Sequence, residues 1–217
     1  LTEVQDLLRQ EGFITSKWFA LNNLVVPVYL LASKKKRFKN SDNKYDGLGG
    51  ETNKNKFFYW FNLSLMQGRY AGSVDTILEK DIQDVNKYLS DENTLWDRLI
   101  EKLDYRHPVP LDNFFASYQT KLFNCLKAYF IKNGAGDIFT GLPLKDDPDK
   151  IHAHHIFPVA LLEKEVSDSD EIFNIGDINQ IANLSLVTEQ TNKDFSDKQP
   201  SLVLVEPLKK YPSDFEK

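Results

Sequence analysis

Apolar residues recur at helical spacing through the first 134 residues of the chain. The helix expected after Ser73 has an apolar face made by Leu78, Ile82, Val85 and Leu89, because these positions lie three or four residues apart. This spacing is typical of helices that bury one face in a core.

A further helix is predicted over "DNFFASYQTKLFNCLKAYFIKNG". Leucine and aromatic residues, including Leu122, Leu126 and Tyr129, repeat along it at the same spacing. The helix is expected to stop at Asn133-Gly134, since asparagine and glycine commonly end helices. We therefore expect Tyr129 to be part of the core.

Two polar or proline-bearing stretches interrupt this helical region. Residues 34–56, "KKKRFKNSDNKYDGLGGETNKNK", are rich in Lys, Asn, Asp and Gly, and this composition predicts a loop. Upstream, Pro27 in "NNLVVPVYLL" is expected either to kink a helix or to begin one.

The hydrophobic pattern changes after Gly134. Turn-forming residues in "NGAGD" and "KDDPDK" flank "IFTGLPL", and "IHAHHIFPVALL" then follows with a short, strand-like period. The pattern predicts an α+β protein with two parts: a helical region at 1–134 and a small α+β domain at 135–217.

Composition excludes several classes of protein. The formal net charge of −5 and the pI of about 5.4 provide no global positive field for nucleic acid or acidic membranes. The single cysteine, Cys125, excludes an internal disulfide and a cysteine-rich zinc site. No long apolar run or secretion signal is present, so we expect a cytoplasmic protein with no membrane partner.

Three of the four histidines of the chain lie within "HAHH", at positions 152, 154 and 155. In a strand, His154 and His155 would point to opposite faces and could not perform the same task. A neutral imidazole can accept a proton from water near neutral pH, so His155 is a candidate general base. Adjacent histidines alone are more often ordinary strand residues, and isolated asparagines usually mark turns.

Three segments in order carry a more specific pattern: "HHIFP", "INQIANLSLV" and "TEQTNKDFSDKQP". His155 and Asn183 are 28 positions apart, and Asn192 follows Asn183 by nine. Together the segments resemble the HNH endonuclease motif, in the form found in the C-terminal nuclease region of GmrSD-type modification-dependent restriction and phage-defence proteins. The resemblance covers about residues 136–205.

The resemblance implies a ββα-metal fold in which a hairpin and a helix hold one divalent ion. It assigns catalysis to His155, the general base, and to Asn183, which would hold the backbone of the base in place. It assigns metal binding to His154, where the family often has an Asp, and to Asn192. Neutral ligands that leave room for waters and phosphate oxygens suit Mg²⁺, with Mn²⁺ as the alternative.

Some ligand alternatives remain open. His152 could be a third ligand, a phosphate contact or simply exposed. Glu189, Asp194 and Asp197 lie near Asn192 in the sequence, and any of them could bind the ion, although surface charges of this kind are usually solvated.

The expected function is metal-dependent hydrolysis of DNA, either modified or unmodified, by the nuclease part of a restriction or defence protein. The helical region 1–134 would then be a scaffold or a DNA-binding domain. A nucleotide-hydrolysing regulatory domain is expected to lie N-terminal to this chain. The alternative is a catalytically inactive HNH-like module that binds nucleic acid or a protein partner. DNA phosphates would be contacted by basic residues, and the candidates are Lys34, Lys35, Lys36, Arg37, Lys39, Lys193 and Lys198.

Overall fold

Helices predominate in the computed structural model, which describes residues 1–37, 51–103, 121–146, 150–167 and 179–203. The chain divides into two compact units. The first contains residues 1–11 and 16–110, and the second contains residues 12–15 and 111–217. Among the described residues, none of the helices has the length and apolar character needed to cross a bilayer.

The first unit is helical in its described residues. Its helices are α1 (Thr2–Gln10), α2 (Val25–Arg37), α3 (Glu51–Met66), α4 (Val74–Tyr88) and α5 (Glu92–Glu101). Aromatic rings of α3 and α5 form the centre of its core: the ring of Trp96 lies 5.4 Å from that of Phe57 and 5.7 Å from that of Trp60, centroid to centroid. Val85 of α4 and Leu89, directly after its last residue, are buried as the apolar spacing predicts, whereas Leu78 and Ile82 are half-buried.

The core of the first unit also buries a charge that the apolar pattern does not predict. Asp81 of α4 is fully buried and accepts two hydrogen bonds from Arg69, at 2.9 and 2.7 Å, and one from the hydroxyl of Tyr70 at 2.8 Å. Burial opposes the charge on Asp81, but these bonds outweigh it and lower the pKa of the carboxyl. A paired carboxylate therefore replaces apolar contact on this face.

Both ends of the stretch predicted as a loop, 34–56, are helical, and residues 38–50 lie outside the described residues. α2 continues through the basic residues to Arg37, and α3 already begins at Glu51. Pro27 does not kink α2 because it lies in the first turn, where the missing N–H has no helical partner to lose. Lysine and arginine are good helix formers, so a basic run extends a helix as readily as it forms a loop.

The second unit is mixed in its secondary structure. It contains helix α6 (Lys121–Lys132), strand β1 (Ile151–His155), helix α7 (Val159–Ser167), strand β2 (Leu184–Thr188), helix α8 (Glu189–Phe195) and helix α9 (Pro200–Val203). α6 ends at Lys132, directly before the predicted stop at Asn133-Gly134, and φ of Gly134 is +77°. The prediction that Tyr129 belongs to the core is wrong, because its side chain is 61% exposed. The buried face of α6 carries Phe123, Cys125 and Ile131 instead.

Residues 12–15 belong to this second unit, and Gly12 explains how they pack there. Its φ is +86°, and a side-chain carbon at this position would overlap the carbonyl oxygen of Ala128 in α6. Only glycine combines this backbone angle with such a close approach. The neighbouring Phe13 is 2% exposed.

The two strands form an antiparallel pair in which Ile151 faces Thr188 and His155 faces Leu184. The N–H of Ile156 donates to the carbonyl of Asn183 at 2.8 Å and extends the ladder by one position. α8 follows β2 without a loop and contacts both strands. The mixed, mainly helical class agrees with the prediction, whereas the structural division falls before α6 and not near residue 134.

Candidate functional site

The end of β1 carries the two adjacent histidines. His154 is 8% exposed and faces Ser185 across the strand pair, whereas His155 is half-buried and faces Leu184. Neighbouring strand residues point to opposite faces of a sheet. The two imidazoles accordingly have different partners.

His154 meets Asn192 of α8. Nδ1 of His154 lies 3.0 Å from Oδ1 of Asn192. This helix begins at a capped position, since the hydroxyl of Thr188 accepts from the N–H of Thr191 at 3.2 Å. Asn192 lies one turn beyond Thr188, so the start of the helix sets where the amide meets β1.

His155 meets an asparagine to which the sequence assigned no role. Nε2 of His155 lies 2.9 Å from Oδ1 of Asn179. An amide oxygen accepts hydrogen bonds and does not donate them, so Nε2 carries the proton in this contact. In that tautomer the lone pair is on Nδ1, which is the nitrogen that can accept a proton.

Asn183 braces the turn that follows β1. Its Oδ1 accepts from the N–H of Phe157 at 2.8 Å, and its Nδ2 donates to the carbonyl of Phe157 at 3.0 Å. Its own carbonyl accepts from Ile156. These bonds attach the residues after His155 to the segment that leads into β2.

The remaining charged and polar candidates lie around α8. Glu189 forms an ion pair with Lys193, and the hydrogen bond from that ammonium lowers the pKa of Glu189. His152 is half-buried, and it also has an electrostatic interaction with Glu189. Asp194 accepts from Gln190 at 2.8 Å, and Asp197 is exposed.

The basic candidates for DNA contact differ in accessibility. Lys193 and Lys198 are exposed, and the ammonium of Lys198 lies 5.7 Å from the centre of the Phe195 ring. Lys34 is 2% exposed and forms an ion pair with Glu92, and burial lowers its pKa to about 8. This corrects the prediction for Lys34, because a buried ammonium paired with a carboxylate does not reach a phosphate backbone.

The other members of the basic run are described in part or not at all. Lys35, Lys36 and Arg37 belong to the last turn of α2, and their side chains lie outside what the structure describes. Lys39 lies outside the described residues. Their assignment to DNA contact remains a prediction.

The pair formed by His154 and Asn192 has suitable chemistry for a divalent ion. Two neighbouring ligands of an octahedral Mg²⁺ at 2.0–2.1 Å are about 3.0 Å apart, and Nδ1 and Oδ1 have that separation. The pair contributes one histidine only, and the described residues contain no group of three or more His, Cys, Asp or Glu side chains that could hold a metal. Waters and substrate oxygens would have to complete the coordination.

Sequence reasoning missed a buried carboxylate that bonds to the start of α8. Asp137 is 2% exposed, and its side chain accepts from the backbone N–H of Phe139, Thr140 and Thr188. An aspartate that bonds N–H groups two and three residues ahead forms an Asx turn. The turn-forming composition of "NGAGD" is consistent with that turn but does not predict the bond to Thr188.

The chain is similar to an uncharacterized protein of Methanocaldococcus jannaschii. The two are 24% identical over an alignment of 148 residues that covers 65% of this chain. The chain spans about a quarter of the relative, 23% of its length. No protein-family model and no solved structure match the chain.

Proposed function

We propose that this chain is a metal-dependent endonuclease that hydrolyses phosphodiester bonds of DNA, with β1, β2 and α8 as the ββα-metal unit of an HNH nuclease. The observation that carries the proposal is the convergence of its three motif segments. His154 meets Asn192 at 3.0 Å, and Asn183 braces the turn after His155 with bonds of 2.8 and 3.0 Å. Residues 38 positions apart in the sequence, His154 and Asn192, have little reason to converge through local packing alone.

In this proposal His155 is the general base. Nδ1 takes a proton from the attacking water as the water oxygen bonds to phosphorus and the bond to the departing oxygen breaks. A positioned base of this kind contributes about 10²–10⁴-fold to the rate. Asn179 keeps the proton on Nε2, and Asn183 holds the backbone that carries the imidazole.

His154 and Asn192 would hold the divalent ion, Mg²⁺ or Mn²⁺. When bound, the ion supplies positive charge that stabilises the scissile phosphate and the departing oxygen. Nδ1 of His154 donates to the amide oxygen of Asn192 in this pair, so the ion would bind the tautomer that carries its proton on Nε2. Both ligands are neutral side chains, and the pair brings no charge of its own. Exposed Lys193 and Lys198 provide local positive charge for DNA phosphates in an otherwise acidic chain.

We further propose that the substrate is DNA handled by a restriction or phage-defence system, and that a separate nucleotide-hydrolysing domain controls the cutting. The HNH-like sequence pattern supports both parts of this proposal.

The test is a nicking assay on supercoiled plasmid. The chain is expected to cut in the presence of Mg²⁺ or Mn²⁺, to lose activity with excess chelator, and to regain it when the ion is restored. A protein that shifts plasmid in a gel but does not cut with either ion would contradict the nuclease and favour a non-catalytic DNA-binding module.

A further inference from the structure

Asp137 connects a turn of the second unit to the start of α8. One carboxylate oxygen, Oδ1, accepts from the N–H of Phe139 at 2.9 Å and from that of Thr140 at 3.1 Å. The other, Oδ2, accepts from the N–H of Thr188 at 2.7 Å. Thr188 is the last residue of β2 and the capping residue of α8.

A second contact joins the same turn to the other end of α8. The ring of Phe139 stacks on that of Phe195, with centroids 4.1 Å apart and planes at 25°. The rings of Phe139 and His154 are also edge to face, with centroids 6.4 Å apart and planes at 85°. The turn at 137–140 thus contacts the first and last turns of α8 as well as one member of the candidate metal pair.

We infer that Asp137 is a positioning residue that anchors α8 and thereby keeps Asn192 opposite His154. This inference rests on the proposed function, because it is the metal pair that the anchor serves. Asn192 lies four residues after Thr188, so a shift of the Thr188 backbone moves the amide by a similar distance. Residues that orient metal ligands in this way typically change metal affinity by about 10–100-fold when they are lost.

The chemistry of the anchor requires a carboxylate. Burial opposes the charge on Asp137, but the hydrogen bonds from Thr188, Thr191, Phe139 and Thr140 outweigh it and lower the pKa of the carboxyl. An ionised carboxylate offers acceptors on both oxygens, whereas an asparagine has one amide oxygen. In Asp137→Asn the oxygen can stay with Phe139 and Thr140, and the amide nitrogen then faces the N–H of Thr188.

The test compares Asp137→Asn with Asp91→Asn. The control makes the same chemical change at the residue that caps α5 in the first unit, where the carboxylate also accepts from a backbone N–H, that of Thr94 at 3.1 Å. Mn²⁺ binding is measured by calorimetry without DNA, amide hydrogen exchange is measured at Thr188, and nicking is measured against Mn²⁺ concentration. All assays are run well below the melting temperature of each variant.

Asp137→Asn is expected to weaken Mn²⁺ binding by about 10-fold or more, to speed exchange at Thr188, and to recover most of its nicking rate at saturating Mn²⁺. Asp91→Asn is expected to match the wild type in all three. If the wild type binds Mn²⁺ and cuts, and Asp137→Asn binds Mn²⁺ with the same affinity, the inference is wrong. A wild type that neither binds the ion nor cuts would overturn the proposed function itself.

Should Asp137→Asn fail to fold, Phe139→Leu takes its place. This variant keeps the backbone donor to Asp137 and much of the apolar volume, but loses the stack on Phe195. It is expected to weaken Mn²⁺ binding while exchange at Thr188 stays at the wild-type rate. Unchanged Mn²⁺ affinity in Phe139→Leu would overturn the role of the turn.

Discussion

Replacing Asn183 with alanine should reduce both stability and cleavage. The change removes the two hydrogen bonds between the Asn183 amide and the backbone of Phe157, at 2.8 and 3.0 Å. A typical hydrogen bond contributes about 1 kcal/mol net. Because Asn183 is only half-buried, water can replace part of what is lost, and we expect a cost of about 1–2 kcal/mol in the free energy of unfolding.

The corresponding assays are thermal unfolding and plasmid nicking. For a chain of 217 residues, each kcal/mol lowers the melting temperature by about 2–4 °C, so a fall of about 2–8 °C is expected. Nicking should fall by about 100-fold, since a shift of about 1 Å in a catalytic group has an effect of that size. Asn183→Asp should lie near the alanine variant, because a carboxylate oxygen then faces the Phe157 carbonyl.

Asn133→Ala is the matched control. Asn133 also donates from its amide to a backbone carbonyl, that of Tyr129 at 2.7 Å, and it has no role in the proposed site. It should lose a little stability and keep full nicking activity. If Asn183→Ala melts and cuts like the wild type, the brace is wrong. If it melts lower but cuts normally, Asn183 does not position the base.

Three further predictions concern other residues. His154→Asp should keep its nicking activity and need less Mg²⁺, because a carboxylate binds hard cations well. His154→Ala should lose most of its nicking activity. If the two variants cut at equal rates, His154 is not a metal ligand. Asn179→Ala should slow nicking by about 10-fold or more, because the variant loses part of the rate that a positioned base contributes. The Mg²⁺ concentration needed for nicking, measured by titration, should change little. Asp81→Asn should destabilise the first unit by about 3–5 kcal/mol, since it leaves the Arg69 charge without its partner. The lowered pKa of Asp81 means that its contribution is present above pH 3.8, its usual pKa, and disappears as the pH falls further. The difference in melting temperature between wild type and Asp81→Asn should therefore be large at pH 6 and shrink in strong acid, and a constant difference would contradict this.

Sequence patterns predicted the parts of the fold that depend on local spacing. Periodicity and turn chemistry account for the buried Val85 and Leu89, for the end of α6 just before Asn133-Gly134, and for the short-period segment that forms β1. Lys34 and Tyr129 were assigned to the wrong environment, because exposure depends on packing partners such as Glu92 that are distant in sequence.

The site shows the same division between local and long-range information. The HNH-like pattern selected His154, His155, Asn183 and Asn192. In the structure His154 contacts Asn192, Asn183 bonds to the backbone of Phe157, and His155 contacts Asn179. The catalytic and metal-binding roles of these residues stay predictions. Asn179 and Asp137 could not be selected in this way. Asn179 acts across 24 positions, and Asp137 reaches Thr188 across 51, distances at which a single sequence carries no pairing signal.

The central claim is that His155 removes a proton from water during cleavage of DNA, and His155→Ala tests it most directly. The variant loses the 2.9 Å contact with Asn179, so a loss of about 1 kcal/mol in stability is expected. Single-turnover nicking of supercoiled plasmid in saturating Mg²⁺ should fall by at least about 100-fold, with folding and DNA binding retained. A variant that cuts as fast as the wild type, with both activities abolished by chelator, would contradict the assignment of His155 as the base.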